Sequence, residues 1–280
     1  MIRFALRRFC TQTNTLNSSH ALQLLSIQSE LKDIRRSADE YDPISTEKKL
    51  FSVFTILKES SSSFSSLPSP NDMAVPSLAL SCLQNSLAHD AGVEEVLKEA
   101  VIQLTQAPLS YQFTASDVEH CFQGIRYLDY SVEGIPELLV ELRKRIASSR
   151  AYYSSTILST AYNGLQTVHS TEVEVRSLLR ELLKRFKTAK EPLSVEDFSL
   201  LFMGLQHMST RQDEVRDLVV EMTKKVKESR VKSLQEAEGA GMMGFSHLNR
   251  RDPAVKALLM ELKRKDCDID ADEFDDDSMT

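Results

Sequence analysis

The chain has 280 residues, 41% hydrophobic and 27% charged, with a formal charge of −7; eight glycines, eight prolines and no tryptophan favour helix over sheet. No apolar run approaches the roughly 20 residues that cross a bilayer, so no membrane span is expected. Cys10, Cys82, Cys121 and Cys267 are scattered without a Cys-x-x-Cys pair, which argues against a disulfide frame or a zinc site.

Charge is divided along the chain. Residues 1–16 carry Arg3, Arg7 and Arg8 and no acid, and as a helix they would set Ile2, Leu6 and Phe9 against the arginines. That is the character of a mitochondrial presequence, with an N-terminal partner-binding arm as the alternative. Residues 266–280 carry eight acids and no base, leaving a body near −2 between the two ends. A near-neutral body lacks the uniform basic footprint of a strong nucleic-acid binder.

From about Asn17 the pattern is helical, and it repeats. Gly124, Gly164, Gly204 and Gly244 stand 40 residues apart, each followed by an apolar and then a polar residue. Counting from each glycine as zero, apolar residues recur at +11, +14, +15, +18 and +22, one helix face. The repeat at Gly164 gives Val175, Leu178, Leu179, Leu182 and Phe186, and the one at Gly204 gives Val215, Leu218, Val219, Met222 and Val226.

A first helix precedes each of these, with apolar residues near −6, −2, +1 and +4: Val118, Phe122, Ile125 and Leu128 in one repeat, Phe198, Phe202, Leu205 and Met208 in another. Caps are expected at Thr114-x-x-Asp117, Ser194-x-x-Asp197, Thr171-x-x-Glu174 and Asp252-Pro253. Extending the register backward gives a repeat with Cys82 at zero and a degenerate one over residues 17–58 with Ser26 at zero. Between them, residues 59–76 read as a Ser/Pro-rich loop.

The predicted fold is therefore all-α, an α-solenoid of five to six helical hairpins over residues 17–265, with repeats at 77–265. A small residue at zero, Cys82, Gly124, Gly164, Gly204 and Gly244, is expected to let helices pack closely.

Stacked repeats align equal positions into columns. At +2 stand Gln84, Arg126, Gln166, Gln206 and Ser246, candidates to contact a partner or single-stranded RNA, to ladder between repeats, or to face water. At +20 and +21 stand Lys144 and Arg145, Lys184 and Arg185, Lys224 and Lys225, a basic ridge that would track phosphates or simply pair with the glutamates at +17. Asp266-x-Asp268-x-Asp270 opens like a calcium loop, but Ala271 stands where glycine is required; a solvated acidic tail is the expectation. The six histidines show no metal-ligand spacing, and no phosphate loop, dinucleotide fingerprint or nucleophile elbow is present. No catalytic residue, metal or cofactor is expected, and no small-molecule substrate.

In its paired helices, long period and organellar leader the chain resembles the organellar helical-repeat proteins, the pentatricopeptide and octotricopeptide classes. The resemblance is architectural and covers residues 17 to 265; the period of 40 exceeds the pentatricopeptide unit. It implies RNA metabolism or translation in the mitochondrial matrix. Three readings follow: an accessory scaffold within the mitochondrial ribosome or an RNA-processing particle, a sequence-selective RNA-binding protein, or a protein-only scaffold of a respiratory or ATP-synthase complex.

Overall fold

The computed structural model describes residues 19–36, 43–61, 70–86, 90–108, 111–229, 231, 234, 237, 244–245 and 247–272. Among these residues it is all-α, with eleven α-helices, one 3₁₀ turn and no strand. The leader at 1–16, the acidic residues after Asp272, and Glu238, Gly239, Gly241 and Ser246 lie outside the described residues. The single array expected over 17–265 divides into two compact units, Met1–Tyr111 and Gln112–Thr280.

The first unit contains α1 (Ser19–Arg36), α2 (Pro43–Ser61), α3 (Pro70–Cys82), a 3₁₀ turn at Leu83–Asn85, and α4 (Val93–Gln106). Here α1 packs on α2 and α3, and α4 packs on α2 and α3. Leu24, Leu50, Val53, Leu57, Leu78 and Val96 are buried at their centre.

The loop expected over 59–76 is corrected at both ends. Helix α2 continues to Ser61, and α3 starts at Pro70 with Pro76 inside it. A proline in the first turn costs nothing because that N–H has no helical acceptor. An interior proline removes a helix bond, and burial of Val75, Leu78, Ala79 and Leu80 offsets this.

The second unit contains α5 (Ala115–Ile125), α6 (Ile135–Ser148), α7 (Ser155–Asn163), α8 (Val173–Thr188), α9 (Val195–Met203), α10 (Asp213–Glu228) and α11 (Pro253–Asp272). First helices pack on first helices, α5 on α7 and α7 on α9. Second helices pack on second helices, α6 on α8, α8 on α10 and α10 on α11. The +11 to +22 face explains the second layer: Ile135, Leu138, Leu142, Val175, Leu178, Leu182, Val215, Met222 and Val255 are all buried.

Local chemistry sets the helix starts. Thr114 with Asp117 and Ser194 with Asp197 form complete capping boxes. Asp252 accepts the Ala254 N–H at 2.9 Å and so caps α11 before Pro253. The expected Thr171 box is corrected: Glu172 is the N-cap of α8 and makes no side-chain cap. Glu174, the other half of that box, instead accepts a 2.7 Å bond from Tyr130 Oη. Helix α11 also runs through Asp266, Asp268 and Asp270, so the loop that a calcium site needs is not formed there.

Two of the zero-position glycines close their helices and do not lie inside them. Gly164 (φ −60, ψ −19) closes α7 and Gly204 (φ −61, ψ −16) closes α9, both in right-handed backbone that any residue adopts. The chain continues as tight turns, Leu165 N to Tyr162 O at 3.0 Å and Val168 N to Leu165 O at 3.2 Å, so the +1 and +4 residues stay buried although the helix has stopped.

Space is what demands glycine. A Cβ on Gly164 would lie 2.5 Å from Phe122 O and 2.7 Å from Phe122 Cβ. On Gly204 it would meet Tyr162 O, and on Gly244 Phe202 O, both well inside 3.0 Å. Each partner is the −2 residue of the preceding repeat. The first unit follows the same rule, with Cys82 Sγ 3.6 Å from Leu24 O. Gly124 is buried on α5, whereas Ser26 is exposed and bonds Glu30 one turn on.

Candidate functional site

The +2 column is built where the first helices end, and at Gln166 this sets the side chain over the preceding helix pair. Gln166 is buried, and its Nε2 donates to Arg126 O at 3.2 Å. Beside it Thr167 Oγ1 donates to Leu128 O at 2.7 Å. Within the first unit Gln28, the +2 residue of the Ser26 repeat, donates to Ser81 Oγ at 2.7 Å. Gln166 therefore acts as a rung between helix pairs, the ladder alternative among the readings of this column. Gln84, Arg126 and Gln206 are half-buried, with the Arg126 guanidinium 5.1 Å from the Tyr127 ring centroid.

The basic ridge separates into two columns with different work. Successive residues on a helix point about 100° apart, and here that angle divides solvent from packing. At +20, Lys144, Lys184, Lys224 and Arg264 are exposed, and each pairs with the +17 glutamate of its own helix: Glu141, Glu181, Glu221 and Glu261.

At +21 the side chains turn toward the preceding pair. Arg185 donates to Ile146 O at 2.7 Å and Ser149 O at 2.6 Å, Lys225 to Ala189 O at 2.5 Å, and Lys265 to Ser229 O at 2.7 Å. In the first unit the +21 residue is Gln103, and it donates to Leu57 O at 2.6 Å. Those carbonyls close the preceding second helix, where the helix leaves acceptors unpaired and the dipole favours a cation. Arg145 is 1% exposed and bonded to Glu141 Oε1 at 2.8 Å. Arg145 is thus buried, and Arg185 and Lys225 are half-buried with their charged ends on backbone carbonyls of the preceding pair.

This division is measurable in urea unfolding. Replacing Arg185 or Lys225 by Met is expected to lower stability by about 1–2 kcal/mol, through carbonyls left without a charged donor. The same change at Lys184 or Lys224 is expected to stay within about 0.5 kcal/mol, as for exposed ion pairs. Equal losses at +20 and +21 would refute the assignment.

Further bonds tie the repeat together at similar spacing. Ser149 Oγ, at the end of α6, donates to Phe113 O before α5 of the same pair at 2.7 Å; Tyr153 Oη donates to Phe113 O at 3.0 Å, Ser155 Oγ to Glu191 O at 2.8 Å, and Arg176 to Gln212 Oε1 at 2.9 Å. These partners are 36 to 40 residues apart, close to the repeat length.

A histidine row escapes the sequence pattern. The His169 and His207 ring centroids lie 4.9 Å apart, and those of His207 and His247 lie 5.3 Å apart in a stacked pair. His207 and His247 share position +3, which is visible in sequence, but His169 stands at +5. Irregular turns and not helical periodicity bring it into line.

Thiol chemistry is not promoted anywhere described. Cys82 and Cys121 are buried free thiols; burial pushes Cys82 up to about 12 and Cys121 well above the ordinary range. Among the described residues no group of three or more His, Cys, Asp or Glu is placed to hold a metal ion, and no helix is long and apolar enough to cross a membrane. Compared with known proteins, the chain matches no family model, no curated protein and no solved structure.

Proposed function

We propose that the chain is a non-enzymatic α-solenoid scaffold, an accessory subunit of a large mitochondrial assembly, with the mitochondrial ribosome or an RNA-processing particle as the favoured host. The carrying observation is that its polar columns are used to hold neighbouring helix pairs together. The +2 amide of Gln166 and the +21 cations of Arg185, Lys225 and Lys265 all bond backbone carbonyls one pair upstream. Stacked helix pairs typically serve as binding surfaces. The arginine-rich, acid-free leader supports delivery to the matrix, and the likeness to organellar helical-repeat proteins supports an RNA-containing host.

Sequence-selective RNA recognition is the weaker reading. It needs amides or cations free in a row, whereas Gln166 and the +21 cations Arg185 and Lys225 bond backbone carbonyls of the neighbouring pair. A protein-only host, such as a respiratory or ATP-synthase complex, suits the same scaffold and differs only in what accompanies it. Sedimentation of a gently lysed mitochondrial extract tests the scaffold reading. The chain should travel with particles far larger than its own 31.6 kDa; recovery wholly at the position of a free monomer would refute it.

A further inference from the structure

We propose that the stacked imidazoles of His169, His207 and His247 make the packing of the last helix pairs proton-dependent, firm when the row is neutral and loosened when it is charged. The three rings come from three successive turns of the second unit, with centroid spacings of 4.9 and 5.3 Å. Two of these turns are also joined through the backbone: Ser170 N donates to His207 O at 3.4 Å, and Ser209 N donates to Ser170 Oγ at 2.9 Å. The outer rings are exposed, while the middle one is half-buried, with an Nδ1 shielded from solvent and without a hydrogen-bond partner.

The surroundings supply no compensating charge to this middle ring. Helix α7 has no carboxylate or cation, burial holding the phenol of its Tyr162 well above the ordinary range, and the acids of α9, Glu196 and Asp197, sit in its first turn, with Asp197 held in the capping box. On the neighbouring second helices Glu174 is bonded to Tyr130, Arg176 to Gln212, Glu214 to Arg180, and Asp213 and Asp252 to Arg216. Within the turns, Glu172 takes the Thr171 hydroxyl, and the remaining charges, Arg211, Arg250 and Arg251, are cationic. Burial first, and then the His169 and His247 charges, push His207 below the ordinary histidine range.

The sign follows from linkage. A histidine whose folded pKa is lowered binds protons better when unfolded, so its stabilisation is present above the unfolded pKa of about 6.5 and is lost as pH falls toward the folded value. Each unit of depression corresponds to about a tenfold change in the unfolding constant at low pH.

Imidazole titrations of the full chain by NMR test this directly. His207 should titrate below about 6.5, and H169Q combined with H247Q should raise its midpoint, because the like charges beside it are gone. Those two residues are exposed, so that variant retains the fold. In parallel, urea unfolding at about pH 7.5 and about pH 5.5 should show a smaller acid loss for H207Q than for the native chain. A His207 midpoint at or above the ordinary value, or one that ignores removal of both neighbours, would overturn the proposal.

Discussion

Gly204→Ala is expected to destabilise the protein by about 1–3 kcal/mol, and Gly204→Val by more, as overpacking does when the neighbour cannot move aside. The direction is diagnostic. Gly204 has right-handed backbone angles, so propensity alone would make alanine the better residue by roughly 1 kcal/mol. A stabilised variant would mean that helix propensity governs this position. A destabilised one means that the added methyl meets Tyr162 O, a backbone atom fixed by the end of α7. Gly164→Ala should behave alike against Phe122 O, and thermal or urea unfolding reads either change.

The second large effect concerns the buried ion pair of α6. Glu141→Ala is expected to cost about 1.5–3 kcal/mol, because it removes a charge-assisted bond to the buried Arg145 guanidinium. Arg145 is 1% exposed and its Nε lies 2.8 Å from Glu141 Oε1, so solvent cannot substitute for the lost partner. If the single variant unfolds at the native urea concentration, the pair carries no structural weight.

What was legible in the sequence depended on periodicity. The apolar residues at +11 to +22 repeat with one face of a helix, and Val175, Leu178, Val215 and Met222 are buried as that spacing requires. Gly164 and Gly204 were legible as close-contact points because no other residue fits there. Their place at helix ends was not legible, since Leu165, Val168, Leu205 and Met208 continue the apolar rhythm into turns that are no longer helical.

Composition misled over residues 59–76, where serines and prolines suggest a loop but apolar burial draws Pro76 into a helix. The basic ridge was read as one feature because Lys184 and Arg185 are chemically alike. Position +21 lies three residues after the buried +18 position, and that spacing was the available signal that Arg185 and Lys225 flank the packed face. The shared +3 position of His207 and His247 was legible, but nothing in a helical count foretells that His169, at +5, joins them.

The most direct test of the proposed role is purification of the tagged, full-length chain from mitochondria with and without nuclease treatment, followed by identification of the proteins that accompany it. The account predicts ribosomal or RNA-processing proteins that are lost when RNA is digested. Recovery of respiratory or ATP-synthase subunits unaffected by nuclease, or of the chain alone, would contradict it.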